Sequence, residues 1–149
     1  MNLLITGGFG HIGSHIIANI NKIKKIKKLY IIDNIYNNKP NSLFKIRKTK
    51  TKIYLFNKDL SQKDSLKLFP KVNIVLHLAS MTDAEKSITQ KKRVHDNNLG
   101  VFNNVLNYCE KNSSKLIHIS STSVYGQLSG YLDESLKKLK PQTPYAKIK

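Results

Sequence analysis

Tyr145 and Lys149 lie four residues apart near the carboxyl end of the sequence, in the stretch PQTPYAKIK. If a helix begins at Thr143 or Pro144, this spacing puts both side chains on one face, with about 5–6 Å between their Cβ atoms. A neighbouring ammonium favours the phenolate form of a tyrosine, which is the form that accepts a proton. The pair therefore predicts a general acid/base centre, although pairs with this spacing also arise by chance on many helices.

The stretch TGGFGHIG near the amino terminus holds Gly7, Gly8, Gly10 and Gly13, four of the seven glycines in the chain. In such a stretch Gly7 would allow a tight turn, Gly10 the close approach of a pyrophosphate, and Gly13 the packing of a helix on a strand. A helix N-terminus attracts phosphate because its N–H groups are free and carry partial positive charge. The stretch therefore predicts a dinucleotide-binding turn, with an ordinary glycine turn as the alternative.

The segments around these motifs alternate between apolar runs and helical patterns. Five apolar runs predict buried strands, at 2–6, 29–33, 52–57, 73–80 and 115–121. A first helix is predicted after the glycines, with an apolar face made of Ile12, Ile16, Ile17 and Ile20. A short helix is predicted at 59–69 and a long one at 97–111, the latter with an apolar face made of Leu99, Phe102, Val105, Leu106 and Cys109. This alternation predicts an α/β fold of the Rossmann type, a doubly wound parallel sheet with helices on both faces.

Right-handed crossovers bring the carboxyl ends of parallel strands to one edge of the sheet, where ligands bind. We therefore expect one crevice to be lined by the residues that follow the strands, namely Gly7 to Gly13, Asp33, Asp59, Ala79, Ser80, Ser120 and Ser121. Asp33 follows Gly13 by twenty positions, the spacing at which a carboxylate accepts hydrogen bonds from an adenosine ribose. Because this carboxylate repels a 2′-phosphate, NAD is the predicted cofactor rather than NADP, although Lys39 leaves that preference open.

The net charge of +17 comes almost entirely from lysine, since Arg47 and Arg93 are the only arginines. A surface that reads bases favours arginine for its bidentate geometry, so we interpret the charge as compositional and predict no nucleic-acid partner. No run of about 18 apolar residues predicts a membrane span, and no signal peptide is recognisable. The lone Cys109 is typical of a cytoplasmic protein, and no histidine has metal-ligand spacing with it.

The motifs TGGFGHIG, IIDN, DL at Asp59–Leu60, HLAS, NNLG, SSTSVYG and PYAKIK occur in this order along the chain. In this combination the sequence resembles the extended short-chain dehydrogenase/reductase family, specifically its NAD-dependent sugar-nucleotide epimerases and dehydratases. DNIYNNKPNS and PQTPYAKIK are most similar to UDP-galactose 4-epimerases and their relatives. The resemblance implies an enzyme that binds NAD and acts on a nucleotide sugar, with a UDP-sugar as the expected substrate.

The resemblance also implies roles for individual residues. The cofactor pyrophosphate would be held by Gly7, Gly10 and Gly13 together with the backbone of Phe9, His11 and Ile12. The adenosine would contact Asp33, Asn34, Asp59 and Leu60, and the rest of the cofactor would contact Leu78, Ala79, Ser80 and Asn97, with Asp96 as the alternative match to Asn97. The catalytic residues would be Ser121, Tyr145 and Lys149, of which Tyr145 and Lys149 also contact the cofactor.

The implied mechanism is an oxidation that is reversed within one catalytic cycle. Tyr145 removes a proton from a sugar hydroxyl while hydride leaves the same carbon for NAD⁺, and Ser121 hydrogen-bonds that oxygen. In an epimerase the keto-sugar then turns over, and hydride returns to its other face. A nucleotide-sugar reductase, a 4,6-dehydratase and a non-catalytic NAD-binding module are the alternatives.

Two departures from the family pattern bear on these alternatives. The 4,6-dehydratases carry Asp-Glu directly after the catalytic Ser/Thr, where this chain has Thr122 and Ser123, and this difference disfavours a dehydratase. UDP-galactose 4-epimerases commonly carry a lysine after the fourth strand, where this chain has Thr82.

Family members continue well beyond the position of Lys149, with further strands and a small domain that binds the nucleotide sugar. The resemblance therefore implies that residues 1–149 are one NAD-binding Rossmann domain, truncated before the last strands and the substrate domain. We expect the full-length protein to be a homodimer. Residues 1–149 alone are expected to be a poor enzyme, because the helix that carries Tyr145 would be too short to be stable by itself.

Overall fold

The structure, a computed structural model, describes residues 1–36, 44, 46, 49–82, 88–127, 130–136 and 138–149. Most of the stretch DNIYNNKPNS, including Lys39, lies outside the described residues. The chain divides into two compact units. The first unit comprises Met1–Ser80 and Gly100–His118, and the second unit comprises Met81–Leu99 and Ile119–Lys149.

In the described residues, the first unit contains the strands β1 (Asn2–Thr6), β2 (Lys28–Asp33), β3 (Lys52–Asn57), β4 (Ile74–His77) and β5 (Lys115–His118). It also contains helix α1 (His11–Ala18) and a 3₁₀ helix at Ile20–Lys22. Helix α2 (Lys91–Asn112) begins in the second unit and ends in the first. The second unit further contains a 3₁₀ helix at Thr122–Tyr125 and helix α3 (Pro144–Ile148). No helix in the described part of the chain is both long and apolar enough to cross a membrane.

The strands form a parallel sheet with the order β3-β2-β1-β4-β5. β1 lies at its centre, where Leu4 pairs with Tyr30 of β2 on one side and with Val75 of β4 on the other. The strand order reverses between β1 and β4, and ligands of such sheets bind beyond the carboxyl ends of the strands at this point. The parallel sheet confirms the predicted Rossmann-type fold class.

Successive residues of β1 belong to two different apolar clusters, one on each face of the sheet. Ile5 belongs to a cluster that includes Ile17 of α1. Leu4 belongs to the other cluster, which includes Val105 of α2. Because side chains alternate between the faces of a strand, the two helices cover opposite faces of the sheet. This double burial explains why β1 and β2 are continuous apolar runs in the sequence, whereas β3 and β5 are exposed or half-buried.

The predicted helix at 59–69 is wrong, because this segment is a series of turns. Its backbone hydrogen bonds join residues three apart, such as the amide of Lys67 to the carbonyl of Asp64. Asp64 has a φ of 58°, in the left-handed region, which interrupts a right-handed helix. In α1, Ile17 is buried but Ile12 is exposed, so Ile12 does not belong to the apolar face.

Helix α2 begins six residues before its predicted start, and its buried face matches the predicted one only in part, since Val105 and Cys109 are buried as predicted. Leu99, which was predicted to face the core, is exposed. The buried positions instead recur at intervals of three and four residues, at Val94, Asn98, Val101, Val105 and Tyr108. Because the polar Asn98 interrupts this buried stripe, the stripe is not recognised when only apolar residues are considered. Cys109 is buried beside the stripe, and burial together with Glu110 raises the pKa of its thiol, as befits a packing residue.

Candidate cofactor and acid/base sites

The turn between β1 and α1 holds Gly7 in a conformation that suits glycine alone. Its φ is 66°, in the left-handed region. A Cβ atom on Gly7 would lie 2.7 Å from the backbone nitrogen and Cα of Ala79, which follows β4. The amide of Gly7 donates a hydrogen bond of 2.8 Å to the carbonyl of Ile32 in β2. The turn therefore packs directly against the ends of both strands that neighbour β1.

Gly8 and Gly13 hold α1 close to this turn. A Cβ atom on Gly13 would lie 2.5 Å from the carbonyl oxygen of Gly8, and one on Gly8 would lie 2.4 Å from the side chain of Ile31. The packing role of Gly8 was missed from the sequence, because Ile31 becomes its neighbour only when β2 pairs with β1.

Gly10 has different surroundings from the other glycines of the turn. It is exposed, and among the described residues beyond its two chain neighbours a Cβ would meet within 4 Å only the carbonyl oxygen of Gly7, at 3.3 Å. Gly10 caps α1, whose first residues His11 and Ile12 are also exposed. The first N–H groups of an α-helix have no partner within the helix. The start of α1 is therefore open to solvent and fits a phosphate group of NAD.

Asp33 ends β2 and braces the glycine turn. Its Oδ2 accepts a hydrogen bond of 2.9 Å from the amide of Phe9, and its Oδ1 accepts one of 2.9 Å from the amide of Ile35. Each carboxylate oxygen has two lone pairs, so both oxygens retain capacity for ribose hydroxyls. The neighbouring Asn34 accepts a bond of 3.2 Å from the amide of Tyr36. The bracing of the turn by Asp33 was not predicted from the sequence.

Asp59 follows β3 and organises the loop after it. Its carboxylate accepts hydrogen bonds from the amide of Ser61, at 2.9 Å, and from the Ser61 hydroxyl, at 2.7 Å. Burial alone would raise the pKa of Asp59, but these bonds and one from Gln62 outweigh it and hold the pKa below its usual value. Asp59 is exposed and ionised at neutral pH, whereas its predicted partner Leu60 is buried in the core.

A buried pair, Thr6 and His77, fixes the segment after β4. The Thr6 hydroxyl accepts hydrogen bonds from the amides of Leu78 and Ala79, both at 3.3 Å, and lies 2.7 Å from Nδ1 of His77. Both members of the pair are almost completely buried, whereas Leu78, Ala79 and Ser80 are half-buried. β4 ends three residues before its predicted end, so this segment lies just beyond the strand.

In the second unit, Ser121 caps the 3₁₀ helix at Thr122–Tyr125. Its Oγ accepts a hydrogen bond of 3.2 Å from the amide of Ser123 and lies 2.8 Å from the Ser123 hydroxyl. Gly126 ends this helix with a φ of 67°. The stretch SSTSVYG thus forms a tight turn that fixes the Ser121 hydroxyl.

Tyr145 of α3 and Lys149, the residue that follows this helix, lie next to each other, as their spacing predicts. Pro144 is the first residue of α3, and the Thr143 hydroxyl caps the helix by accepting a hydrogen bond of 3.1 Å from the amide of Ala146. Nζ of Lys149 lies 5.7 Å from the centroid of the Tyr145 ring and donates a hydrogen bond of 3.1 Å to the carbonyl of Ile119. Burial lowers the pKa of Lys149. A half-buried ammonium is therefore held against the ring of a half-buried tyrosine.

The second unit also holds an asparagine that sequence reasoning missed. Asn98 is buried, and its side chain accepts a hydrogen bond of 2.7 Å from the amide of Met81 and donates one of 3.1 Å to the Met81 carbonyl. The predicted Asn97 is half-buried and donates a bond of 3.1 Å to Asn98, while Asp96 is exposed. The helical period through Val94 and Val101 was the available signal for Asn98.

We expect replacement of Asn98 by leucine to destabilise the protein by about 1–3 kcal/mol, because the amide and the carbonyl of Met81 both lose their hydrogen bonds to the Asn98 side chain. Urea denaturation of the variant measures this loss, with Asn103→Ala, an exposed change on the same helix, as the control. An unchanged denaturation midpoint for Asn98→Leu would mean that these hydrogen bonds add nothing to stability.

The predicted site residues are divided between the units. Those from Gly7 to Ser80 belong to the first unit, and Asn97, Ser121, Tyr145 and Lys149 belong to the second. In the described part of the chain, no three His, Cys, Asp or Glu residues are grouped so that they could hold a metal ion.

A parallel sheet with this strand order, an open glycine turn and an acid at the end of β2 defines the Rossmann-type class of nucleotide-binding proteins. Residues 3–149 match the model of the NAD dependent epimerase/dehydratase family. The chain belongs to this family, whose cofactor is NAD, as the sequence predicts.

Similar proteins include several epimerases of nucleotide sugars and a dTDP-D-glucose 4,6-dehydratase of Dictyostelium discoideum, which is 31% identical over 89% of this chain and 31% of that protein. The chain is 30% identical over 132 residues to a UDP-glucose 4-epimerase of Yersinia enterocolitica, with 85% of this chain and 39% of that protein covered. The solved UDP-N-acetylglucosamine 4-epimerase of Methanobrevibacter ruminantium, in complex with UDP-N-acetylmuramic acid, is 30% identical, with a TM-score of 0.83 over 99% of this chain and 46% of that one. A UDP-glucose-4-epimerase of Stenotrophomonas maltophila, solved with bound NAD, shares the fold with a TM-score of 0.86 at 24% identity, over 99% of this chain and 45% of that one. The chain spans less than half the length of each of these proteins.

Proposed function

We propose that this chain supplies the NAD-binding and acid/base residues of a nucleotide-sugar epimerase that acts on a UDP-sugar. The observation that carries the proposal is α3, where Lys149 lies against the Tyr145 ring in a chain of the NAD dependent epimerase/dehydratase family. The names of its relatives support a UDP-sugar as the substrate. Thr122 and Ser123 cannot act as the acid and base of a dehydratase at neutral pH, so epimerisation is the favoured reaction.

In this proposal the first unit holds the adenosine and pyrophosphate of NAD. The open start of α1 at Gly10 receives the pyrophosphate, and the carboxylate of Asp33 receives ribose hydroxyls. Asp59 and Leu60 flank the adenine, and the segment fixed by Thr6 contacts the rest of the cofactor. When bound, NAD takes up hydride from the sugar carbon and returns it.

The second unit supplies the groups that handle the proton. Tyr145 accepts the proton of the sugar hydroxyl at the reacting carbon and later gives it back. Lys149 supplies a positive charge beside Tyr145, with its Nζ 5.7 Å from the centroid of the ring. Ser121 holds the reacting oxygen by a hydrogen bond. Asn97, Tyr145 and Lys149 complete the contacts to the cofactor.

The proposal predicts a preference for NAD over NADP that depends on the charge of Asp33. Asparagine at this position keeps the size of the side chain but removes the charge that repels a 2′-phosphate. We expect Asp33→Asn to lower the ratio of the NADP dissociation constant to the NAD dissociation constant at least about fivefold, since like charges near a protein surface cost about 1–4 kcal/mol. Calorimetry on the full-length protein measures both constants.

Any loosening of the glycine turn in the variant weakens the binding of NAD and of NADP alike, so it leaves the ratio of the two dissociation constants unchanged. A change in this ratio therefore reports the loss of the Asp33 charge. Asp64→Asn is the matched control, since asparagine tolerates the left-handed backbone of Asp64. Equal affinity of the unmodified protein for NAD and NADP would contradict the proposed role of Asp33.

A further inference from the structure

Two serine hydroxyls meet in the turn that follows β5. The Oγ atoms of Ser121 and Ser123 lie 2.8 Å apart. The amide of Ser123 also donates to the Ser121 Oγ, at 3.2 Å. The Ser121 oxygen therefore lies beside both the hydroxyl and the amide of Ser123, in a tight turn that ends at Gly126.

The hydrogen-bonding capacity of Ser121 limits how it can act. A hydroxyl has one proton to donate and two lone pairs that accept. The Ser123 amide occupies one lone pair of Ser121. If Ser121 donates its proton to the Ser123 oxygen, it has nothing left to donate. If Ser123 donates instead, both lone pairs of Ser121 are filled, and its proton is directed away from Ser123.

The reacting sugar selects between these two directions. Once the sugar hydroxyl has given its proton to Tyr145 and the carbon is oxidised, the oxygen is a carbonyl that only accepts hydrogen bonds. Ser121 can hold that oxygen only by donating to it. We propose, building on the function proposed above, that Ser123 is a positioning residue that donates its hydroxyl proton to Ser121, so that Ser121 donates to the sugar oxygen.

In this relay Ser121 and Ser123 each retain their hydroxyl proton, because Tyr145 alone takes up the proton of the substrate. Ser123 acts by orienting the Ser121 proton and by polarising it, since hydrogen bonds in a chain strengthen one another. The hydrogen bond that Ser121 donates is strongest when the reacting sugar oxygen has lost its proton. The relay therefore raises kcat and leaves substrate binding unchanged.

The test compares serine variants of the full-length protein in the conversion of UDP-galactose to UDP-glucose. We expect Ser123→Ala to lower kcat about 3- to 10-fold, the range for one lost hydrogen bond, without changing KM or the affinity for NAD. Ser123→Thr, which keeps the hydroxyl, should restore kcat to within about twofold. In the Ser121→Ala background, Ser123→Ala should have no further effect, because Ser123 acts only through Ser121.

Ser135→Ala is the matched control, because it removes a hydroxyl that bonds to the carboxylate of Asp133 in the same unit. An unchanged kcat in Ser123→Ala, an equal loss in the Ser121→Ala background, or a failure of threonine to restore the rate would each overturn the relay while the proposed function stands. An unmodified protein that binds NAD but converts no nucleotide sugar would instead refute the proposed function, and the relay with it.

Discussion

Replacement of Tyr145 by phenylalanine is expected to lower the kcat of the full-length protein about 10²–10⁴-fold, the usual contribution of a positioned acid/base group. The variant loses only the phenolic oxygen, so the ring remains in place beside the Lys149 ammonium. The affinities for NAD and for the nucleotide sugar should change little. Steady-state turnover of UDP-galactose and calorimetry with NAD measure these quantities.

Tyr131→Phe is the matched control for this experiment, since Tyr131 lies in the same unit with 91% of its surface exposed. This substitution removes the same phenolic oxygen from a tyrosine with no proposed role in the reaction. The kcat of the Tyr131→Phe variant should therefore equal that of the unmodified protein. If Tyr145→Phe kept most of its activity, Tyr145 would not be the acid/base group.

Replacement of Gly7 by alanine is expected to destabilise the protein by about 2–5 kcal/mol and to abolish NAD binding. The left-handed φ of 66° costs alanine about 1–2 kcal/mol. The new Cβ atom, 2.7 Å from the backbone of Ala79, adds an overpacking cost of about 1–3 kcal/mol. Urea denaturation measures the change in stability, and calorimetry measures the loss of NAD binding.

Gly100→Ala is the control for Gly7→Ala. Gly100 lies within α2, and a Cβ atom there would have its closest contact at 3.6 Å, an ordinary van der Waals distance. Because glycine weakens a helix interior, this variant should be as stable as the original or more stable by about 0.5–1 kcal/mol. Equal stabilities of the Gly7 and Gly100 variants would mean that the turn does not pack against Ala79 as described.

β1 and β2 were predictable from the sequence because almost all of their side chains are buried, on both faces of the sheet. The side chains of β3 and β5, in contrast, are exposed or half-buried, so these strands were predictable from their apolar and β-branched residues and not from burial. β3 matches its predicted bounds, while β4 and β5 each end three residues early. The residues that follow begin with apolar side chains, Leu78 and Ala79 after β4 and Ile119 after β5, but the parallel pairing of the two strands stops at His77 and His118. Where an apolar run leaves the sheet is decided by pairing, which a single segment does not encode.

The glycine turn and α3 were predictable because their chemistry depends on local spacing. Contacts between residues far apart in sequence were not predictable in this way. Two hydrogen bonds form only when distant segments meet, namely that from the Phe9 amide to Asp33 and that from the Met81 amide to Asn98. The same holds for Thr6 and His77, which look like ordinary strand residues until β1 and β4 pair.

We propose that this chain is part of an epimerase in which the sugar is oxidised and then reduced at one carbon, and the names of its relatives point to C4. The most direct test incubates the full-length protein with UDP-galactose that carries deuterium at C4. We expect conversion to UDP-glucose with the deuterium retained at C4, because the hydride that leaves that carbon also returns to it. A protein that binds NAD yet gives no conversion, or a product that has lost its deuterium to water, would contradict the account.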